Sequence, residues 1–242
     1  MVDLVTGRIA IIPARGGSKR IPEKNIIDFE GKPMIAWTIE AALSSKCFDR
    51  ILVSTEDEKI AQIARDYGAE VPFFRESKTD DFSPVSEATL SALKQATAHW
   101  QEDYHTVVQL MANCPLRTAT DISAALDAFE QSSRTFQLSC FRYGWMNPWW
   151  AVKLDDNGRP VRLFEDALAQ RSQDLPDLYC PTGAIWVAKV ADFINAGTFY
   201  GAEHCFEPMI WENAVDIDDN EDLSFARALW LKKKQQQQPS KL

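Results

Sequence analysis

"IAIIPARGGSKRIPEKN", residues 9–25, changes character in its middle. Its opening run, Ile9–Pro13, is apolar and β-branched, the composition of a buried strand. The remainder holds Gly16, Gly17 and Pro22 among the cations Arg15, Lys19, Arg20 and Lys24, which neither strand nor helix favours. A buried strand that runs straight into a basic, glycine-containing loop reads as the first unit of a parallel α/β sheet. In such sheets ligands collect at the carboxyl ends of the strands.

The following sequence continues the alternation. "KPMIAWTIEAALSS" has the helical spacing Ile35, Ile39, Ala42 and Leu43, with Pro33 suited to its first turn. Asp49–Thr55 is expected as a strand, "EDEKIAQIARDYGA" as a helix and "EVPFFR" as a third short strand. A long helix is expected over Ser83 to Trp100, a buried strand over His105–Ala112, and a helix in "TATDISAALDAFEQS" capped by Thr118 or Thr120. From Phe136 the texture turns to strands, with "DDNG" at 155–158 as a hairpin signal. This predicts an antiparallel excursion from the main sheet. A closing helix in "NEDLSFARALWLKK" precedes a tail, residues 233–242, expected to be frayed.

Composition narrows the function classes. The 242 residues are 45% hydrophobic and 25% charged, which suits one domain with a sizeable core. The formal charge of −9 argues against nucleic acid or an anionic membrane as partner, so the basic loop is a local exception aimed at a small anion. Cys47, Cys114, Cys140, Cys180 and Cys205 are widely spaced and odd in number, and His99, His105 and His204 lack metal-ligand spacing. No apolar run approaches the ~20 residues of a membrane span. "MVDLVTGR" has no cationic segment before an apolar core, so a reducing cytoplasm is the expected compartment.

The loop chemistry suits a polyphosphate. Gly16 and Gly17 let backbone N–H groups approach anionic oxygens, and arginine can grip phosphate with two parallel bonds. A solvated basic loop would carry the same residues. Neither G-x-G-x-x-G nor the P-loop order is present. A second constellation, "VDIDDNEDL" at 215–223, sets Asp216 and Asp218 on one side of an extended segment, a pairing suited to Mg²⁺ shared with phosphate. The same acids could cap the following helix. Together, the cationic loop and the carboxylate pair favour phosphate chemistry.

"IIPARGGSKRIPEKN", followed in order by "GKPMIAWTIEAA", "CPLRT", "RSQDLP", "TGAIWVA" and "VDIDDNEDL", resembles the CMP-sialic acid synthetases and their relatives that activate other nine-carbon acidic sugars, including pseudaminic and legionaminic acids. "SKRIPEKNIIDF" and "QRSQDL" also resemble the pseudaminic acid enzymes, which tend to read H-D-A-G where this chain has "CPTG", so the resemblance ranks no one acid first. The resemblance implies a Rossmann-like nucleotidyltransferase, with a mostly parallel sheet and a small antiparallel dimerisation segment at about 141–182. Its substrates would be CTP and a nonulosonic acid, its cofactor Mg²⁺, and its assembly a homodimer. The octulosonate synthetases, with a loop of the type A-R-x-x-S-T-R-L-P-x-K-P, are the nearest alternative. A nucleotide-binding module without turnover is the other, although such a module would be expected to lose the basic anchors or the carboxylates.

By the same resemblance, Ala14, Arg15, Gly16, Gly17, Ser18, Lys24 and Asn25 bind the nucleotide, with Arg75 and Asp81 (or Asp80) beside it. Arg15, Lys19 and Asp218 act in catalysis, and Asp216 and Asp218 hold the metal. Met111, Asn113, Arg171, Gln173 and Thr182 fall to the sugar, Arg171 and Gln173 by reaching a partner subunit. Two positions depart from the sialic acid pattern: Met111 stands where glutamine is usual, and Cys180 where arginine is usual.

Overall fold

The computed structural model describes residues 7–75 and 85–237. Chain order begins with strand β1 (Arg8–Pro13), the two-residue strands β2 (Asp28–Phe29) and β3 (Lys32–Pro33), helix α1 (Met34–Ser45), β4 (Arg50–Ser54) and α2 (Glu58–Asp66). It continues with α3 (Val85–Trp100), β5 (Thr106–Gln109), α4 (Ala119–Glu130) and β6 (Phe136–Arg142). After the short hairpin β7 (Val152–Leu154) and β8 (Pro160–Arg162) come β9 (Tyr179–Lys189), α5 (Val190–Ala196), β10 (Cys205–Pro208) and α6 (Asn220–Gln237).

Six strands form the central sheet in the order β10-β6-β9-β5-β1-β4. β1 runs parallel to β4 on one side and to β5 on the other. β9 is inserted antiparallel between β5 and β6. The period-two alternation of β1 buries it on both faces. Ala10 and Ile12 pack with Ile35 and Ile39 of α1 and with Ile122 and Leu126 of α4, whereas Ile9 and Ile11 pack with Ala92 and Leu93 of α3. Because the chain leaves β1 for β4 on one side and later returns to β5 on the other, the carboxyl end of β1 is a topological switch point, where a crevice opens.

Local chemistry explains the element ends. The Asp57 carboxylate accepts from the N–H groups of Lys59 and Ile60 at the start of α2. Thr118 and Asp121 form a reciprocal capping box that starts α4, so Thr118, not Thr120, is the cap. Asp155 accepts from the N–H groups of Asn157 and Arg159, and Gly158 at φ 75° completes the turn between β7 and β8.

Two expectations are corrected. "EVPFFR" is not a strand: Glu70 makes an isolated parallel bridge to Leu52, and Pro72, which lacks an N–H, follows too soon for a ladder to grow. The tail does not fray at 233, because α6 continues to Gln237. Lys232 pairs with Glu212 at 2.5 Å, Lys233 bonds Asn213 and the Leu116 carbonyl, and Lys234 sits over the Trp230 ring. This lysine run is a packing device for the last helix. Residues 238–242, and the Ser83 start expected for α3, lie outside the described residues.

Candidate functional site

The cleft at the switch point has a volume of about 290 Å³. Arg15, Ser18, Lys24 and Asn25 reach it from the segment after β1, Met111 and Asn113 from the segment after β5, and Arg75 from beyond α2. Asp216 and Asp218 close it from the irregular segment that precedes α6. Residues more than a hundred positions apart thus line one crevice.

Asn113 couples the two acidic positions to the sheet. Its side-chain amide donates to Asp216 and to the Ile217 carbonyl at 2.9 Å, while its backbone carbonyl accepts from the Ile217 N–H at 3.0 Å. Lys24 Nζ lies 2.8 Å from Asp218 Oδ1, and Arg20 lies 2.7 Å from Asp218 Oδ2. Burial pushes the Asp218 carboxyl upward, but hydrogen bonds and charge from Lys24 and Arg20 outweigh it and hold the group below the usual range. Asp216 is different. Burial, helped by the negative charge of Asp218, raises its carboxyl to about 6, and Lys24 offsets this only in part. A half-buried carboxylate short of positive charge, beside an ionised one, is an all-oxygen donor pair suited to a hard divalent cation.

Gly183, on β9, stands against this pair. A Cβ there would meet Met111 Cγ at 2.8 Å, so glycine keeps Met111 in place, and would stand at ordinary contact distance, 3.6 Å, from Asp216 Oδ2. Gly16 is also required by close approach, but to another residue. A Cβ at 16 would lie 2.5 Å from Asp57 Oδ2, and the Gly16 N–H donates to Glu56 Oε1 at 2.8 Å. Gly16 therefore packs the loop onto the start of α2, which corrects the expectation that its N–H faces the anion. Nothing lies within 4 Å of a Cβ built at Gly17, which leaves open space there.

Glu56 is a residue that the motif reading missed. Besides Gly16 it pairs with Arg75, whose side chain is only 3% exposed, and the Arg75 N–H bonds the Thr55 carbonyl. The available signal was its place in "STEDE", at the carboxyl end of β4. Arg117, in "CPLRT", was likewise unassigned. It is buried and donates to the carbonyls of Met111 and Ala184 and to the Thr38 hydroxyl. It positions the segment that carries Met111 and Asn113.

Other expected residues lie elsewhere. Ala14 is buried at the end of β1, and its N–H bonds the Ser54 carbonyl. Asn25 donates its side-chain amide to the Arg15 carbonyl at 2.9 Å, which braces the loop. Lys19 belongs to the loop but is not among the residues lining the cleft. Thr182 lines a neighbouring cavity and donates its hydroxyl to the Ala214 carbonyl at 2.8 Å. Arg171 is exposed on the excursion and bonds Asp174 at 2.7 Å, and Gln173 lies beside it, so neither reaches the cleft of its own chain. Asp80 and Asp81 lie outside the described residues.

Comparisons with known proteins agree with this geometry. The family model described as cytidylyltransferase matches residues 9–179. A pseudaminic acid cytidylyltransferase from Campylobacter jejuni is 36% identical over 92% of this chain and 95% of its own. The CMP-N,N'-diacetyllegionaminic acid synthase of Legionella pneumophila is 31% identical over 91% of this chain and 95% of its own. Among solved structures, a CMP:2-keto-3-deoxy-manno-octonic acid synthetase in complex with CTP superposes with a TM-score of 0.68 at 16% identity, over 94% of this chain and all of that one, which establishes the fold. With a basic loop at the switch point facing a carboxylate pair, and a family match across most of its length, the chain belongs to the cytidylyltransferase family.

Proposed function

We propose that the protein transfers CMP from CTP to the anomeric hydroxyl of a nonulosonic acid. The observation that carries this reading is one cleft in which Arg15, Lys24 and Arg75 stand opposite Asp216 and Asp218. The hydroxyl oxygen attacks the α-phosphorus, the bond from that phosphorus to the bridging oxygen breaks, and pyrophosphate leaves with the electron pair. Charge grows on the leaving oxygens, so fixed cations stabilise the transition state more than the ground state. Arg15 and Lys24 are suited to the triphosphate, together with Lys19 from the same loop. The proton of the attacking hydroxyl passes to Asp218, which Lys24 and Arg20 hold ionised, or to water if a metal at the carboxylate pair lowers the hydroxyl's pKa.

Asp216 and Asp218 would hold Mg²⁺, whose contribution is Lewis-acid polarisation of the phosphate oxygens. The excursion at about 141–182 supports a homodimer, because it exposes Trp145 (86%), Met146 and Leu154. A reducing, cytoplasmic setting accords with five free cysteines, and among the described residues no helix is long and apolar enough to cross a membrane.

The test is pyrophosphate release from CTP and Mg²⁺ with sialic, legionaminic, pseudaminic and octulosonic acids. Turnover with a nine-carbon acid is expected. Silence across the panel, or turnover of the octulosonate alone, refutes the assignment.

A further inference from the structure

Glu56 is engaged at both oxygens of its carboxylate. Oε1 accepts from the Gly16 N–H at 2.8 Å, and Oε2 accepts from the Arg75 guanidinium. The sheet register brings these three residues together. β1 and β4 run parallel with Pro13 beside Ser54, and the Ala14 N–H bonds the Ser54 carbonyl at 3.0 Å. Gly16 and Glu56, each just beyond the carboxyl end of its strand, are therefore neighbours. The Arg75 backbone N–H bonds the Thr55 carbonyl at 2.9 Å, which sets the guanidinium against the same carboxylate.

Both partners of Glu56 lead into the nucleotide cleft. Arg75 lines it directly, and Arg15 and Ser18, on either side of Gly16, line it from the loop. Glu56 is not itself among the described residues that line the cleft, so it acts on a ligand only through these groups. The Arg75 side chain is 3% exposed, and a cation that deep keeps its place only with a counter-charge. The two groups that Glu56 holds are both donors. A carboxylate accepts at each end, whereas an amide of the same size turns an N–H₂ toward one of them. Aspartate is one methylene shorter. The loop has a second polar tie to α2, Lys59 to Glu23 at 2.7 Å, but that pair is exposed on both sides and is worth little.

We infer that Glu56 is a positioning residue for the nucleotide: its two oxygens fix the phosphate loop and the Arg75 guanidinium in one arrangement, so that both meet CTP without rearranging. Preorganisation of this kind appears as affinity, because the ordering cost is met in folding and not on binding. The inference deepens the proposed function and rests on it for the identity of the nucleotide.

Calorimetric titration of CTP with Mg²⁺, in the absence of any acid, is the test. Glu56→Gln keeps the size of a side chain that is 35% exposed, so the fold is retained. It keeps an acceptor for Gly16 and loses the one for Arg75. The Kd of CTP should rise about 10- to 100-fold, the range for losing a supporting partner of a ligand-holding group. In turnover assays the same factor should appear in the KM of CTP while the KM of the acid stays unchanged. In an Arg75→Met background the further cost of Glu56→Gln should fall below about twofold, because the group through which it acts is gone. Glu56→Ala should still weaken CTP binding in that background, since it also releases the Gly16 N–H. Lys59→Met, which removes only the exposed tie, should leave the Kd of CTP unchanged. Equal factors for Glu56→Gln in both backgrounds, or a joint rise of both KM values with a lower Tm, would show a merely structural role and overturn the inference. The expected pattern of CTP binding without turnover of any acid supports the inference and refutes the proposed function. Turnover of a nine-carbon acid, with CTP affinity unaltered in Glu56→Gln, overturns the inference while leaving the proposed function standing.

Discussion

Replacing Asp216 with asparagine should stabilise the metal-free protein while removing its activity. The Asp216 carboxyl is raised from an ordinary 3.8 to about 6, first by burial and then by the charge of Asp218. A displacement of that size corresponds to about 3 kcal/mol as an upper figure. The folded-state value lies above the unfolded one, so the folded protein binds more protons between pH 4 and 6. Asp216 therefore costs stability in full above about pH 6, and the cost disappears below about pH 4. Asparagine keeps an acceptor for the Asn113 amide and carries no charge.

At pH 8 in EDTA, Asp216→Asn should raise Tm by roughly 2–10 °C, using the usual conversion for a chain of this size. At pH 4.5 the gain should shrink to a small fraction of that. Added Mg²⁺ should stabilise the wild type more than the variant, since ligands that bind only the folded state raise its stability. Differential scanning calorimetry at the two pH values measures all three effects. An unchanged or lower Tm at pH 8, or an equal gain at both pH values, would refute the view that a half-buried, only partly compensated charge sits at this position.

Three further outcomes follow from contacts in the site. Lys24→Ala removes the 2.8 Å partner of Asp218 and a cleft cation, and should lower kcat/KM for CTP by about 10²–10³-fold in steady-state assays. Arg117→Met removes the donor to the Ala184 carbonyl and the Thr38 hydroxyl and leaves the Met111 carbonyl to the Thr38 hydroxyl, and should cost about 1–3 kcal/mol in urea unfolding. Gly16→Ala brings a Cβ to 2.5 Å from Asp57 Oδ2, so loss of the α2 cap should cost about 1–2 kcal/mol, whereas Gly17→Ala, with open space, should leave stability within about 0.5 kcal/mol.

The reading of "IAIIPARGGSKRIPEKN" as a buried strand feeding a basic loop at the sheet's carboxyl edge holds in three dimensions, as do the helices α1, α2 and α4. These features depend on side chains close together in sequence: the alternation in β1, the spacing of Ile35 and Ile39, and the cap at Thr118. The extended Asp216–Asp218 pair was legible for the same reason. "EVPFFR" failed as a strand because its β-rich composition masked what Pro72 does to a ladder. The lysine run near the end looked solvated because its partners, Glu212, Asn213, Leu116 and Trp230, are not all near it in sequence.

Sequence patterning thus indicated most of the strands and helices and the basic loop after β1, since hydrophobic period and capping act over a few residues. Tertiary structure alone decided how the loop's chemistry is shared out. Glu56 takes the Gly16 N–H across 40 positions, Arg117 reaches Ala184 across 67, and Asn113 meets Asp216 across 103. Such pairs are created by sheet order, which carries no local signature. For the same reason the cavity that Thr182 and Asp216 share, assembled from β6, β9, the turn at Trp211 and α6, could be seen only after the chain had folded around it.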